Sequence, residues 1–226
     1  MNPRKRIRDL SLEEFLQEYP RMAGGAVPLT QVGAYPLLGT GPLPNVDVAS
    51  PGEVWAHKRA NGVIVPGSCV RNAVVGGVGC VQPVVSEDSI SEAGGGIRRE
   101  TLAIAMRQIM MPDINPGSQY NPQLGPNEIV NLPIADMDWV RTYHTGVMNL
   151  TLVAPDADYA EGDILGWDPS ATRPAGKASG TGAWASITRD ESVVAGTDIF
   201  VVDRPPRFYG SNNESILTCR FLRSNQ

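Results

Sequence analysis

Short runs of β-branched and other apolar residues, each closed by glycine or proline, recur through most of this 226-residue chain. The segment 62–70, Gly-Val-Ile-Val-Pro-Gly-Ser-Cys-Val, is typical of them. The 24 glycines and 19 prolines supply turns and interrupt any long helix. This pattern rules out a coiled coil or helical bundle, and a hydrophobic content of 42% rules out a disordered tail.

The apolar runs are spaced as short antiparallel strands would be, with turn-forming clusters of Pro, Asp, Asn and Gly between them. We therefore predict a mainly β protein with a small β-sandwich or barrel-like core and one or two short helices. Strands of the carboxyl-terminal half are predicted at residues 129–134, 139–143, 147–153, 163–167, 183–187, 199–202 and 216–222.

The chain divides into an N-terminal arm, residues 1–53, and a β-rich core, residues 54–226, with an insertion at 86–127. Within the arm, a helix is predicted over 11–19, because a Ser–Glu capping box opens it and a proline follows it. Residues 22–53 are rich in Pro and Gly but keep their apolar side chains. Such a segment either lies extended along another surface or packs as an irregular loop on its own domain.

Residues 98–111 fit two periods. Leu102, Met106 and Met110 share a helical face, whereas Leu102, Ile104 and Met106 alternate as in a strand. We predict a helix, because the segment is long, rich in Ala and Met, preceded by glycines and followed by proline.

Charge is unevenly distributed in a chain whose formal net charge is −5. Residues 112–170 hold nine acids and one base, whereas the first eight residues hold four bases and no acid. The overall charge disfavours direct nucleic-acid binding. The basic start favours contact with an acidic partner, or is a solvated terminus. Whether the acidic segment binds a cation stays open, since Asp156–Asp163 lacks the spacing of an EF-hand loop.

No recognised catalytic or cofactor motif is present in the sequence. Three cysteines, Cys69, Cys80 and Cys219, fit neither a disulfide framework nor a zinc site, so reduced thiols and an intracellular assembly environment are expected. His57 and His144 have no partner at metal-ligand spacing. No metal, cofactor or catalytic residue is predicted, and no run approaches the ~18 apolar residues of a membrane span.

Three segments carry a turn-and-strand pattern. Residues 159–168 read Tyr-Ala-Glu-Gly-Asp-Ile-Leu-Gly-Trp-Asp, residues 194–202 read Val-Ala-Gly-Thr-Asp-Ile-Phe-Val-Val, and residues 61–70 read Asn-Gly-Val-Ile-Val-Pro-Gly-Ser-Cys-Val. Together they resemble small capsid decoration (cement) proteins of tailed bacteriophages. The resemblance implies a non-enzymatic structural protein that binds the major capsid protein lattice as a homotrimer. Its expected location is the outer capsid surface of the virion, after assembly in the host cytoplasm.

Such proteins often use an extended arm, and here the arm offers basic and apolar side chains for that contact. The partner-binding residues predicted on this basis are Arg4, Lys5, Arg6, Arg8, Leu12, Phe15, Leu16, Leu29, Tyr35, Leu37 and Leu38.

Two alternative functions stay open. A receptor- or glycan-binding β-domain would display exposed aromatic side chains, for which the candidates are Trp139, Trp167, Trp184 and Tyr209. A carboxylate-dependent hydrolase without a visible motif would need paired acids such as Asp136 and Asp138.

Overall fold

A computed structural model describes residues 45–50, 54–91, 96–107, 131–154, 158–174, 176–177, 180–209 and 214–222. The predicted helix 11–19 and the rest of the arm up to residue 44 lie outside these residues. The described part is mainly β, which confirms the predicted fold class.

Thirteen strands and one short 3-10 helix, Arg99–Thr101, follow one another along the described chain. The strands are β1 Val46–Ser50, β2 Val54–Ala60, β3 Cys69–Val75, β4 Val78–Pro83, β5 Ile90–Ser91, β6 Ile97–Arg98, β7 Leu102–Arg107, β8 Trp139–Tyr143, β9 Val147–Leu150, β10 Ile164–Thr172, β11 Thr181–Ser186, β12 Phe200–Tyr209 and β13 Glu214–Phe221.

These strands form two layers. Five of them close a barrel in the order β2-β4-β3-β7-β8, in which only the β2–β4 pair is parallel. Six others form an antiparallel sheet in the order β1-β9-β13-β12-β10-β11. Strands β5 and β6 make a separate two-stranded parallel pair. The predicted barrel-like or sandwich-like core is therefore present as a barrel stacked against a sheet.

Small side chains fill the barrel interior. Its buried cluster consists of Ala60, Ile64, Val70, Val81, Ala103, Ala105, Ile134 and Val140. Five strands enclose a narrow space, so the three alanines suit it better than larger residues would. Because inward and outward positions alternate along each strand, the neighbours of these residues face the outside of the barrel.

The larger core lies between the barrel and the sheet. The barrel contributes Cys69, Leu102, Ile104 and Tyr143, and the sheet contributes residues such as Met148, Leu165, Phe200 and Leu217. Edge-to-face aromatic contacts run through it, with ring centroids 5.3 Å apart for Trp167–Trp184 and 4.8 Å apart for Trp184–Phe200. Both layers therefore bury their apolar sides against each other.

Two tryptophans also bond the sheet to the backbone of the barrel layer. The Trp184 indole N–H donates to the Gly67 carbonyl at 2.7 Å, and the Trp167 indole N–H donates to the Val84 carbonyl at 3.2 Å. Gly67 has φ +87°, and a Cβ there would meet the Asn45 side chain at 2.8 Å. A glycine is thus required where the loop before β3 packs against Asn45, the residue before β1.

The predicted helix over 98–111 is wrong. Of the part of this segment that the structure describes, Arg99–Thr101 is a 3-10 helix and Leu102–Arg107 forms β7, between β3 and β8 of the barrel. Leu102 and Ile104 face the main core, while Ala103 and Ala105 face the barrel interior. A strand covered on both faces reads as a continuous apolar run, so alternation of polar and apolar residues is lost.

Two predicted boundaries also look different in the structure. Val46–Ser50, assigned to the arm, pairs with β9 as the end strand of the sheet. The insertion 86–127 contains β7, so part of it belongs to the barrel. Of the strand predicted at 129–134, the described portion contributes one bridge, between Ile134 and Ile64.

Candidate binding face

None of the predicted arm contacts can be placed in the fold. The residues concerned, Arg4, Lys5, Arg6, Arg8, Leu12, Phe15, Leu16, Leu29, Tyr35, Leu37 and Leu38, all lie outside the described residues. The candidate site in the described part of the chain lies elsewhere, on the outside of the barrel.

Two of the three resemblance segments lie side by side. Strand β10 pairs with β12 through Ile164↔Val201 and Leu165↔Phe200. The buried Thr197 hydroxyl accepts the Trp167 backbone N–H at 2.8 Å and donates to the Val194 carbonyl at 2.6 Å. These motif residues satisfy one another's polar groups, so they hold the sheet together.

The third segment, 61–70, connects the barrel to its surroundings. The Gly62 N–H donates to the Asp136 carboxylate at 2.8 Å, and the Gly67 N–H donates to the Ala105 carbonyl at 2.7 Å. Cys69 from the same segment lies in the main core. All three segments thus have structural contacts in the described fold.

The acids singled out in the sequence are distributed among separate turns. Asp163 accepts the Ala160 N–H at 2.9 Å and pairs with Arg189 at 2.6 Å, and Asp168 accepts two hydrogen bonds from Ser170. Among the residues that the structure describes, no group of three or more His, Cys, Asp or Glu is arranged to hold a metal ion.

Asp136 and Asp138 flank Met137 in a turn before β8, where the Asp138 N–H donates to the Ala135 carbonyl at 3.1 Å. Met137 has φ +66°, a conformation that non-glycine residues seldom adopt, and its side chain is exposed. The two carboxylates therefore lie in a tight turn. They do not share one face of a strand, as residues two apart on a strand would.

The three free cysteines are buried. Burial raises the pKa of the Cys69 thiol, and likewise the pKa of the Cys219 thiol, well above the usual range. A thiolate is the reactive form of cysteine, so these two behave as small apolar core residues.

A buried ion pair lies at the end of the sheet. The Lys177 ammonium is 2.7 Å from the Glu214 carboxylate, and the Lys177 side chain is wholly buried. Burial lowers the pKa of Lys177, while Glu214 acts in the opposite direction. The pair joins the start of β13 to the loop before β11. Removing one partner would leave a buried charge without its counter-ion, which destabilises the fold.

The exposed site is a face of the barrel that crosses four strands. Register places Trp139 of β8 beside Arg59 of β2, Arg59 beside Cys80 of β4, and Cys80 beside Ala73 of β3. One row further along the strands come Arg141 of β8 and the pair Val75 and Val78. We call the set Arg59, Trp139, Arg141, Val75 and Val78 the barrel face, in which Trp139 and the two valines are exposed and the two arginines are half-buried.

Arg59 is held in place on the barrel face. Its guanidinium carbon lies 4.2 Å from the centre of the Trp139 ring, and its Nη1 donates to the Met137 carbonyl at 2.8 Å. Trp139 is 46% exposed. A cation stacked on an exposed tryptophan is a pre-organised pair of the kind enriched at binding hot spots.

The β3–β4 hairpin projects an apolar tip beside this pair. Gly76 and Gly77 have φ of +57° and +80°, as a two-residue type I′ turn requires. Val74 is 74% exposed and Val78 is 63% exposed. No charged residue lies between positions 72 and 86. The exposed valines of the tip therefore form an apolar patch of the kind found at protein–protein contacts.

Arg141 adds a second cation to the barrel face. Its Nε is shielded from solvent and has no hydrogen-bond partner among the described residues. A buried donor without an acceptor costs roughly 1–3 kcal/mol.

The two histidines lie in or next to barrel strands, His57 within β2 and His144 directly after β8. His57 pairs in register with Arg141, but its side chain lies outside the description. His144 follows β8 and is half-buried.

The aromatic candidates of the glycan-binding alternative are mostly buried. Trp167 and Trp184 belong to the main core, and the Tyr209 side chain lies outside the description. Trp139 alone of the four is seen exposed. The sequence signal for the barrel face was the Trp-Val-Arg alternation of β8 next to a long uncharged hairpin.

Within the described ranges, no helix has the length and apolarity needed to cross a membrane. No protein-family model, curated protein or solved structure matches this chain.

Proposed function

We propose that this protein is a structural virion protein that binds the outer surface of a viral capsid lattice and stabilises it, as decoration proteins do. The observation that carries the proposal is the arrangement of the resemblance segments. Residues 159–168 and 194–202 pair as neighbouring strands, and residues 61–70 join the barrel to the main core. Two of the segments are neighbours in the sheet and the third reaches the same main core through Cys69, which supports taking the three as one pattern.

The proposed mechanism is non-enzymatic. A stack of barrel and sheet with one shared core provides a rigid body, and the barrel face provides a contact surface. The partner is the major capsid protein lattice, the protein binds as a homotrimer, and the arm residues predicted from the sequence add a second contact. Contacts made by many copies on a lattice reinforce one another through effective concentration.

A receptor- or glycan-binding domain is the second candidate. One observation favours it, namely that Trp139 is exposed with Arg59 stacked on its ring. Tryptophan faces bind sugar rings as well as protein groups, so this feature alone does not separate the two functions.

Co-sedimentation tests the proposal. Empty shells of the virus whose major capsid gene neighbours the gene for this chain are mixed with the purified full-length protein and pelleted. We expect saturable binding in a ratio that matches threefold positions, together with a trimer mass in solution. Absence from the pellet at concentrations well above that of the shell sites would contradict the proposal. Retention on a glycan array without shell binding would favour the second candidate.

A further inference from the structure

We propose that the barrel face is a docking site for a protein segment in which carboxylates stand next to apolar side chains. This inference rests on the proposed function for the identity of the partner, since the segment would belong to the capsid lattice. Its chemistry, however, is argued from the barrel alone.

The charge of the barrel strands opposes that of the whole chain. The five strands β2, β3, β4, β7 and β8 contain no acidic residue, and their bases are Lys58, Arg59, Arg71, Arg107 and Arg141. The chain as a whole carries a formal charge of −5. A basic surface on an acidic protein attracts a negatively charged partner and keeps other copies of the protein away from it.

The cations next to the hairpin are available for pairing. Among the described residues, neither Lys58 nor Arg141 makes an ion pair, whereas Arg71 is 3.4 Å from Asp88. The Lys58 ammonium lies beside Gly79, 3.8 Å from the position that a Cβ would occupy there. Lys58 pairs in register with the interior Val140, so its side chain points toward the barrel mouth, and Arg141 is the cation on the outward side of β8.

Among the described residues, the nearest acids make no ion pair with Arg59 or Arg141. Asp136 and Asp138 lie in the turn beyond Trp139, and the Asp136 carboxylate already accepts the Gly62 N–H. Arg141, the third residue of β8, is half-buried and makes no ion pair in the described part of the chain. Arginine binds a carboxylate through two parallel hydrogen bonds, so a partner carboxylate fits this position well.

The apolar members of the surface favour a polypeptide over other polyanions. Val74, Val75 and Val78 are exposed at the tip, and they match apolar side chains rather than phosphates. Single-stranded nucleic acid is bound along tracks of several aromatic side chains, and the barrel face has one, Trp139. Strands β8, β2, β4 and β3 curve around the closed barrel at about 4.8 Å per strand, so a short extended segment contacts two or three neighbouring strands of the face.

The experiment uses the full-length protein and a soluble copolymer of glutamate and tyrosine as the probe. Polyglutamate, oligothymidylate and vesicles of phosphatidylglycerol are compared with it. The variants are Arg141→Gln, Trp139→Ala and Val78→Ser. Arg204→Gln is the matched control, because Arg204 is an exposed arginine of β12 in the other layer. Near-UV circular dichroism checks that each variant keeps its core.

We expect the copolymer to bind more tightly than polyglutamate, and each face variant to weaken copolymer binding by about tenfold or more. Arg204→Gln should leave binding unchanged. Equal loss in the Arg204→Gln variant would overturn the proposal, since it would indicate a general charge effect. Tighter, face-dependent binding of oligothymidylate or of the vesicles would also overturn it, as would face variants that bind normally.

The same variants, tested with capsid shells, separate this inference from the proposed function. Normal shell binding by all face variants would refute the docking site and leave capsid binding standing. Face-dependent copolymer binding without any shell binding would refute capsid binding and leave the docking site standing.

Discussion

Glycines with positive φ differ in what a side chain would meet. Gly182 has φ +109°, and a Cβ there would lie 2.6 Å from the Trp167 ring. Gly162 has φ +89°, and nothing lies within 4 Å of the same position. Both need a left-handed backbone, but only Gly182 also lets the central aromatic cluster close against the strand.

Replacement of each glycine by alanine separates the two effects. Gly162→Ala is expected to cost about 1–2 kcal/mol of unfolding free energy, from backbone strain alone. Gly182→Ala adds overpacking against Trp167, for a further ~1–3 kcal/mol. Urea unfolding of both variants measures the difference. Equal losses would mean that Trp167 moves aside without cost.

Which of the tryptophans is buried could not be predicted from the sequence. Trp139, Trp167 and Trp184 all stand in strand-like runs, and all were candidates for exposure. Which of them is buried depends on which layer covers its strand, and that is decided by pairings between distant segments. The sheet tryptophans face the barrel, whereas Trp139 begins a barrel strand on a face that no described element covers.

At the scale of elements, strands were predictable where apolar runs are bounded by turn-forming residues. Strand β8 was predicted with the bounds that the structure has, and β9 to β13 were each located. Strand β7 was missed because its Leu, Ala and Met residues also suit a helix. Its pairing with β3 and β8 supplies a stabilisation that local propensity does not contain.

The edge strand β1 gives the prediction at this scale. Asn45 donates its backbone N–H to the Asn131 carboxamide oxygen and its side-chain N–H to the Pro66 carbonyl, and Val46 is buried in the main core. Deleting residues 1–50 removes these contacts, whereas deleting residues 1–44 keeps them. The longer deletion should therefore lower the melting temperature by roughly 5–15 °C relative to the shorter one.

Thermal scans of the two truncated proteins measure that difference. Identical melting temperatures would show that β1 adds nothing to the sheet. The comparison also has a practical use, because an arm deletion that ends at residue 44 keeps the described contacts of Asn45 and Val46.

For the molecule as a whole, barrel and sheet are expected to unfold together, since their main core is shared and two indole hydrogen bonds cross between them. Trp184→Phe removes the donor to Gly67 and should cost about 1–3 kcal/mol while keeping one cooperative transition. Trp139→Phe, at an exposed position, should cost less than about 1 kcal/mol. Far-UV and near-UV circular dichroism that melt at different temperatures would contradict this picture.

The fold class of the whole molecule followed from its sequence, but the layer arrangement did not. Alternating runs and turn residues were sufficient to predict a mainly β core. The closure of a barrel by β2 and β8, and the placement of β1 at the sheet edge, depend on pairings across about 80 to 100 residues. The candidate site was not predicted, because its row of residues comes from four strands that register alone brings together.

The contrast between the exposed Trp139 and the buried Trp167 and Trp184 also makes the protein its own optical probe. Indoles in a dry core emit at shorter wavelength and are sheltered from a collisional quencher such as acrylamide, while an indole at the surface emits further to the red and is quenched readily. The fourth tryptophan, Trp55, is replaced by phenylalanine so that three indoles remain. The long-wavelength fluorescence that acrylamide quenches then reports what contacts the barrel face, and the short-wavelength fluorescence that resists quenching reports whether the core is intact. Occupancy and unfolding can thus be followed in one cuvette, without a label.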